Sequence, residues 1–245
     1  MALMRYALTL VLSFAFSLRI VPEQRPKWQM QSVRAAHFEQ KLNRRVERFD
    51  TAGRTLVANI VDLAFTYQLP TAIESADREA TTRPLSLSFR NESLRTILEA
   101  IVRQVPEYRL SFSAGIVDVF SARAREDHSN LLNTIVKDFT VSQVDTHDAD
   151  SQLFCALSRD VGSQVCAGSI AIGQWGPLKV SVHLQNAKAY EILNAIVAEN
   201  GSAIWTVTAR PDKLSALQLG GNWYIYPLGQ PFKAVVSERL ANLKP

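Results

Sequence analysis

One polar run contains the residue types that acid-base or metal chemistry requires. Asp145-Thr146-His147-Asp148-Ala149-Asp150 brings three carboxylates and an imidazole together. Such groups could exchange protons with a substrate or bind a metal ion. The same spacing also fits a strand-to-helix loop whose acids lie against the positive end of the next helix. No second ligand group with recognisable spacing occurs elsewhere in the sequence, so we expect neither a metal site nor a cofactor.

Catalytic motifs that can be recognised from their spacing are absent from the sequence. It contains no glycine-rich phosphate loop, no Gly-x-Ser-x-Gly, no His-Glu-x-x-His and no Cys-x-x-Cys. We therefore expect a protein that is not an enzyme. The alternative is a hydrolase that uses Asp145, His147 and Asp148.

The chain has two cysteines, Cys155 and Cys166. In an exported protein, an even pair at this short spacing favours a disulfide. The bond would close a loop of about a dozen residues and contribute roughly 3 kcal/mol to stability. The alternative is two unpaired thiols that are buried as small apolar groups.

Aromatic residues are concentrated near the C-terminal end of the chain. Strand alternation over residues 222–227 places Trp223 and Ile225 on one face and Tyr224 and Tyr226 on the other. We expect Trp223 to lie in the core together with Trp205. The two tyrosines could contact a partner, or they could serve packing alone, since strands favour aromatic residues.

A repeated block predicts the elements that must position these residues. Residues 85–102 read LSLSFRNESLRTILEAIV, and residues 180–197 read VSVHLQNAKAYEILNAIV. Identical residues recur at one constant offset, among them Asn91 with Asn186 and Leu98 with Leu193. Each block combines a strand-like alternation with a helix-like apolar stripe. The repeat therefore predicts two small copies of one module.

The first copy is predicted over residues 49–121 as an α+β unit. A helix is expected at 54–68, before Pro70, followed by strands at Thr71–Glu74 and 85–90. A second helix, capped by Asn91, should end before Pro106. A hairpin that turns at Ala114-Gly115 should follow it. This order favours a βαββαβ-like sandwich in which helices pack on a short mixed sheet.

The first copy also resembles the short N-terminal domain of secretins and TonB-dependent receptors. The resemblance rests on Phe49-Asp50 before a turn, on Leu63-Ala64 in the helix, and on the L-x-L-x-F, N-x-S-L-x-x-I-L and Y-x-L patterns that follow. Members of that family are periplasmic recognition modules that contact partner proteins. The resemblance therefore implies two tandem copies of a binding module. The long alternating strands of a pore or barrel do not follow the repeat, so we do not expect pore formation.

Composition suggests the remaining boundaries. The polar run ARAREDHSN at 122–130 mixes charges without apolar periodicity, which predicts a solvated linker. The second copy is expected over 131–228, followed by a C-terminal tail at 229–245. Its connection at 209–221 is longer than the tight turn of the first copy, so we expect specificity to have been added there.

The N-terminal segment predicts export. An uncharged run from Tyr6 to Leu18 follows Arg5 and is too short for an ordinary membrane-spanning helix, so residues 1–17 are typical of a signal peptide. Residues 18–48 are expected to form a basic linker or a short packing helix. Residues 1–54 contain ten Lys/Arg and four acids, whereas the remainder contains 17 and 19, so the repeated modules lack the clustered cations that nucleic acid requires.

The sequence thus predicts a periplasmic or otherwise exported α+β protein that binds another envelope protein. It would be membrane-anchored if the signal is not cleaved, and membrane contact is expected only through residues 1–48. The alternatives are the periplasmic hydrolase named above and a structural component of an envelope complex. A filled core with a free sheet edge would favour binding, whereas a pocket that gathers the acidic cluster would favour the enzyme.

Overall fold

The computed structural model describes residues 27–74, 82–160, 178–207 and 223–241. The chain divides into two compact units, 1–33 and 34–245, and every contact discussed below lies within the second. The predicted signal peptide, Cys166 and the 209–221 connection lie outside the described residues. No helix among the described residues is long and apolar enough to cross a membrane.

Helices and strands alternate along the chain. The helices are α1 (Lys27–Leu42), α2 (Leu56–Tyr67), α3 (Leu94–Arg103), α4 (Ala122–Glu126), α5 (Thr146–Asp160), α6 (Ala189–Asn200) and α7 (Gln230–Ala241). The strands are β1 (Arg45–Asp50), β2 (Thr71–Glu74), β3 (Ser88–Ser93), β4 (Tyr108–Ser113), β5 (Ile116–Ser121), β6 (Ile135–Val144), β7 (Val180–Lys188), β8 (Ala203–Val207) and β9 (Trp223–Pro227). The predicted α+β class is confirmed.

The sequence repeat is also a structural repeat. Each copy has an antiparallel two-stranded ribbon, β1–β3 in the first and β6–β7 in the second. Each ribbon leads into an amphipathic helix, α3 or α6, and then into an antiparallel pair, β4–β5 or β8–β9. The starts of α3 and α6, and those of β4 and β8, are separated by the same offset as the repeated sequence blocks.

The helix ends follow from local chemistry, with one correction to the prediction. Thr55 accepts a hydrogen bond from the N–H of Ala58 and thereby caps α2, which ends at Gln68 in a left-handed conformation (φ 54°). Asn91 does not cap α3, because Ser93 accepts the bond from Thr96 instead. Asn91 and its counterpart Asn186 both have left-handed backbones, at φ 52° and 50°. Asparagine tolerates that region better than most residues do, which explains its presence in both copies.

A single five-stranded sheet joins the two copies. Its strand order is β4-β5-β2-β8-β9, so β2 of the first copy lies between β5 and β8 and is parallel to both. The copies are therefore not the two separate sandwiches that the sequence suggested. Two parallel strands can pair only when a long connection separates them, and no local pattern indicates such a pairing.

Three segments predicted as linkers or tails pack against the fold. Helix α1 buries Phe38 and Leu42, so this part of the segment at 18–48 forms the packing helix that was one of its two expected forms. The run at 122–130 contains α4 and buries Ala124 and Asn130, so it is not the fully solvated linker that the sequence suggested. The tail at 229–245 contains α7, whose Val236 is fully buried and which packs on α2. In α7, apolar residues at positions i, i+3 and i+4 form the stripe that explains this packing.

The interior consists of two groups of buried apolar side chains, one for each copy. Helix α3 supplies Ile97 and Leu98 to the first group, and α6 supplies Ile192 and Leu193 to the second. Trp205 and Trp223 are buried in the second group, as predicted for the core. The alternation of β2 connects the two groups, because Ile73 faces the first and Ala72 the second.

Leu98 and Leu193 provide a matched test of the repeat. Both side chains are almost fully buried, at 1% and 0% exposure. Replacing either residue by Ala should lower the free energy of unfolding by about 2 to 5 kcal/mol, because the lost contacts leave a cavity. Urea unfolding would measure the change, with Glu99→Ala on the exposed face of α3 as the control. Losses below about 0.5 kcal/mol at both leucines would show that neither helix is the core element that the repeat predicts.

Candidate functional site

The acidic run of the sequence lies at the start of α5. Asp145 accepts a hydrogen bond from the backbone N–H of Asp148 at 2.8 Å, so it acts as the N-terminal cap of the helix. The indole N–H of Trp223 donates to the buried carboxylate of Asp150 at 2.7 Å. Among the described residues, no three His, Cys, Asp or Glu side chains are placed so that they could hold one metal ion. The geometry of the run is therefore that of a capped helix start.

Tyr224 and Tyr226 do not form an exposed surface. Their ring centres lie 6.2 Å apart, and both pack with the first core. Tyr226 is only 1% exposed, whereas Tyr224 is partly buried. Of the two alternatives for the tyrosine pair, packing therefore holds for Tyr226, and partner contact stays a prediction for Tyr224 alone. Strand alternation placed both tyrosines on one face correctly, and that face packs on the first core.

Cys155 lies on α5 and is partly buried. Its predicted partner, Cys166, lies outside the described residues. The disulfide stays a prediction.

A charged cluster is buried between the two copies. Nε of Arg125 on α4 forms an ion pair with Oε1 of Glu74 at the end of β2. Nη2 of the same guanidinium lies 3.1 Å from each carboxylate oxygen of Asp118 on β5. The side chains of Glu74, Asp118 and Arg125 are only 1%, 6% and 10% exposed. Two carboxylates thus share one cation in a site that is nearly free of solvent.

The second copy completes the surroundings of this cluster through α6 and β8. The guanidinium carbon of Arg125 lies 3.4 Å from the ring centre of Tyr190 and 4.5 Å from that of Phe120. Asn194 donates to Asp118 at 3.0 Å and accepts from the indole N–H of Trp205 at 2.7 Å. A continuous polar chain therefore runs from β2 and β5 across the boundary between the copies.

Burial controls the protonation of the two carboxyl groups. Desolvation raises the pKa of Glu74 to about 7, although the positive charge of Arg125 acts in the opposite direction. The nearby Asp118 carboxylate adds to the rise. Desolvation also raises the pKa of Asp118 itself, against the opposing effects of Arg125 and Asn194. One guanidinium does not fully compensate two buried carboxylates. The Glu74 carboxyl group therefore retains its proton up to a pH of about 7.

A groove lies on the opposite side of the first copy, between α3 and β4. It has a volume of about 460 Å³, and Val102, Pro106, Leu110 and Phe112 form its apolar lining. Its charged rim includes Glu99, Arg103 and Arg109. At one end the guanidinium carbon of Arg95 lies 4.4 Å from the ring centre of Phe112. Arg95 also donates a hydrogen bond of 2.7 Å to Glu39.

Strand β4 borders this groove and is an edge of the sheet. Within the described part of the chain, β4 pairs with β5 alone. The two-residue turn Ala114-Gly115, in which both backbones are left-handed (φ 53° and 83°), closes the hairpin on the pair Ser113 and Ile116. Hydrogen-bonded pairs alternate along an antiparallel ladder, so the N–H and C=O groups of Leu110 and Phe112 point away from β5. No other strand among the described residues bonds to these groups.

The second copy contains the counterpart of this groove, and there it is filled. At the repeat offset, Arg95, Glu99 and Leu110 correspond to Tyr190, Asn194 and Trp205. Strand β8, the counterpart of β4, has β2 on its outer edge, and α6 contacts β2 and β5. The filled groove contains the Asn194–Asp118 hydrogen bond and lies against the Arg125 cluster. The helix and hairpin of the repeat therefore occur twice. In the second copy β2 pairs with the outer edge of the hairpin, whereas in the first copy no described strand does so.

Sequence reasoning missed both features, although signals for them exist. Glu74 and Asp118 lie within otherwise apolar strands, TAIE and IVDVF. A carboxylate in a buried strand requires a cationic or hydrogen-bonding partner, so these acids could have indicated a buried ion pair. The partner, Arg125, was hidden in a run that has the composition of a linker. The groove could have been suspected from the positions at which the two repeats differ.

Comparisons with models of protein families, with curated proteins and with solved structures found no match. The family resemblance therefore rests on the residue patterns given above.

Glu74 should make stability depend on pH. The folded protein retains the Glu74 proton to a pH of about 7, whereas the unfolded chain releases it near 4.5. Folding thus takes up a proton within this window, and the free energy of unfolding should fall by up to about 3 kcal/mol as the pH rises through it. Urea unfolding at pH 5, 6, 7 and 8 would measure this dependence. Glu74→Gln should flatten the dependence, while Glu92→Gln, on the solvent-exposed ribbon, should leave it unchanged. An equal slope in Glu74→Gln would contradict the assignment.

The disulfide gives a separate test of export. Protein recovered from the cell envelope should yield a cross-linked Cys155–Cys166 peptide on non-reducing digestion and mass spectrometry. Reduction should lower the unfolding free energy by roughly 3 kcal/mol, according to the entropy of loop closure. Alkylation of both thiols without prior reduction would exclude the bond and weaken the argument for export.

Proposed function

We propose that this protein is an exported binding module that captures another envelope protein at the β4 edge and in the adjoining α3 groove. The proposal makes no use of a cofactor or of catalytic residues. The signal-like N-terminal segment and the resemblance to secretin and TonB-receptor modules support the location and the class of function. The location is thus the periplasm or another exported compartment.

A single observation carries the proposed binding mode. Strand β8, which the repeat makes equivalent to β4, already has β2 on its edge. Added strands contribute backbone hydrogen bonds, and neighbouring pockets select their side chains. On β4 the same backbone groups border a groove with apolar walls and a charged rim. A partner segment can therefore use both sources of affinity.

The acidic run is not required for this function. Asp145 caps α5, and Asp150 binds Trp223 in the core, so both carboxylates have structural roles. The hydrolase alternative requires Asp145, His147 and Asp148 to act on a substrate. Their joint replacement is therefore the variant that separates the two functions.

Site-specific photo-crosslinking in cells would test the binding mode. A photoreactive phenylalanine analogue in place of Phe112 should form an adduct with a partner, while the same analogue at exposed His183 on the β6–β7 ribbon should not. The N–H of Leu110 points away from β5, so Leu110→Pro removes this N–H without breaking a bond to β5. Edge strands tolerate proline at such positions. In a Leu110→Pro background the adduct should decrease on the order of tenfold, because a strand addition depends on these backbone bonds.

Two variants serve as controls for this experiment. Leu110→Ala retains the N–H and should lose less adduct than Leu110→Pro, provided that both proteins unfold at similar urea concentrations. The triple change Asp145→Ala, His147→Ala and Asp148→Ala should leave the adduct intact. Loss of the adduct in the triple variant alone, or a hydrolytic activity that disappears with it, would favour the hydrolase.

A further inference from the structure

We infer that the β4 edge accepts an extended peptide segment in parallel orientation, with a large apolar residue opposite Leu110 and an acidic residue opposite Phe112. This inference rests on the proposed function and specifies its ligand. It assigns a direction, a register and two side-chain preferences to the captured segment. The direction and the register come from the way in which β8 pairs with β2, and the side-chain preferences come from positions at which the two copies differ.

Direction and register follow from the filled edge. Strand β2 runs parallel to β8, with Ala72 opposite Trp205 and Glu74 opposite Val207. At the repeat offset Trp205 corresponds to Leu110, and Val207 corresponds to Phe112. A segment that binds β4 in the same way has four residues, of which the second lies opposite Leu110 and the fourth opposite Phe112.

Backbone bonding identifies which ligand N–H groups are used. In a parallel pair, a residue whose N–H and C=O point toward the other strand does not bond to its own register partner. Its N–H donates to the residue before that partner, and its C=O accepts from the residue after it. Strand β2 follows this pattern with β5, because the N–H of Val117 donates to the carbonyl of Pro70 at 2.9 Å. Leu110 would therefore accept from the N–H of ligand residue 3 and donate to the carbonyl of residue 1. The N–H of residue 2 would point away from β4.

The second ligand position should be large and apolar. In the filled site the small side chain of Ala72 faces the same core as Trp205, and the indole is completely buried. In the first copy Leu110 replaces that indole, and a groove of about 460 Å³ remains beside it. Side chains of register partners lie on the same face of a sheet. A leucine-sized residue at position 2 would thus enter the groove.

The fourth ligand position should be acidic. In the filled site Glu74 pairs with Arg125, whose guanidinium lies against Tyr190. In the first copy Arg95 replaces Tyr190, so the helix itself supplies the cation. Its guanidinium lies over the ring of Phe112, which is the register partner of position 4. Glu39, the present partner of Arg95, is about half exposed (51%) and can be replaced by a ligand carboxylate.

Synthetic peptides would test these preferences directly. The probes are fluorescein-labelled decapeptides that carry Thr-Leu-Ile-Glu or Thr-Leu-Ile-Lys between Gly-Ser flanks. Fluorescence anisotropy should show on the order of tenfold weaker binding for the lysine peptide, because a charge-assisted hydrogen bond is lost. Arg95→Glu should reverse the preference. Arg90→Glu, an equivalent change on the exposed β1–β3 ribbon, should not.

N-methylated peptides would test the backbone register without altering the protein. Methylation of the residue 3 nitrogen should weaken binding at least as strongly as the lysine substitution. Methylation of the residue 2 nitrogen should have little effect. A nitroxide at the peptide C-terminus should broaden the amide signal of Ser113, and one at the N-terminus should broaden that of Tyr108.

The possible outcomes separate this inference from the proposed function. Binding that depends on Leu110 but is antiparallel, or that is indifferent to the charge at position 4, would overturn the inference and leave the proposed function standing. A partner adduct in cells that is unaffected by Leu110→Pro would overturn the proposed function as well. Reversal of the charge preference by Arg95→Glu, together with the two broadening patterns, would support both.

Discussion

The fold depends on one short strand that pairs along both of its edges. Strand β2 spans Thr71–Glu74 and is parallel to β5 on one side and to β8 on the other. Ile73 faces the first core and Ala72 the second, so each core is closed by a residue of the same strand. Loss of either pairing would expose apolar side chains of both copies. This dependence explains why a chain with two repeats forms one compact unit over residues 34–245.

The position of β2 explains where the buried charges lie. Glu74 is the last residue of β2, and its ion pair with Arg125 fixes the end of the strand at the boundary between the copies. Removing one partner of a buried ion pair is costly, because the other is left uncompensated. A pKa near 7 lets the Glu74 carboxyl group be neutral, which lowers the cost of burying two carboxyl groups beside one guanidinium. We therefore expect the boundary to be more stable at pH 5 than at pH 8, whereas a carboxylate with a lowered pKa gives the opposite dependence.

The sequence predicted those elements whose signals are local. Periodicity, Pro70 and the Ala114-Gly115 turn were sufficient for α2, β2 and the β4–β5 hairpin, and the repeat identified α3 and α6 as equivalent helices. The pairing of β2 with β8 could not be predicted, since it joins residues that are distant in sequence and has no turn chemistry of its own. The buried charge cluster was missed for a related reason, because Glu74 and Arg125 come together only when β2 pairs with β5.

The difference between the two copies bears on why one edge is left open. An exposed edge strand risks uncontrolled pairing with other chains, and natural sheets limit that risk with short strands and charged side chains. Strand β4 carries the exposed Arg109 beside the groove. Its counterpart in the second copy lacks this protection, with alanine, isoleucine, tryptophan and valine in β8, but there β2 covers the edge. The exposed charge of Arg109 therefore lies on the edge to which the proposed function assigns partner binding. A capture site on an exposed edge requires such protection, whereas an internal strand such as β8 does not.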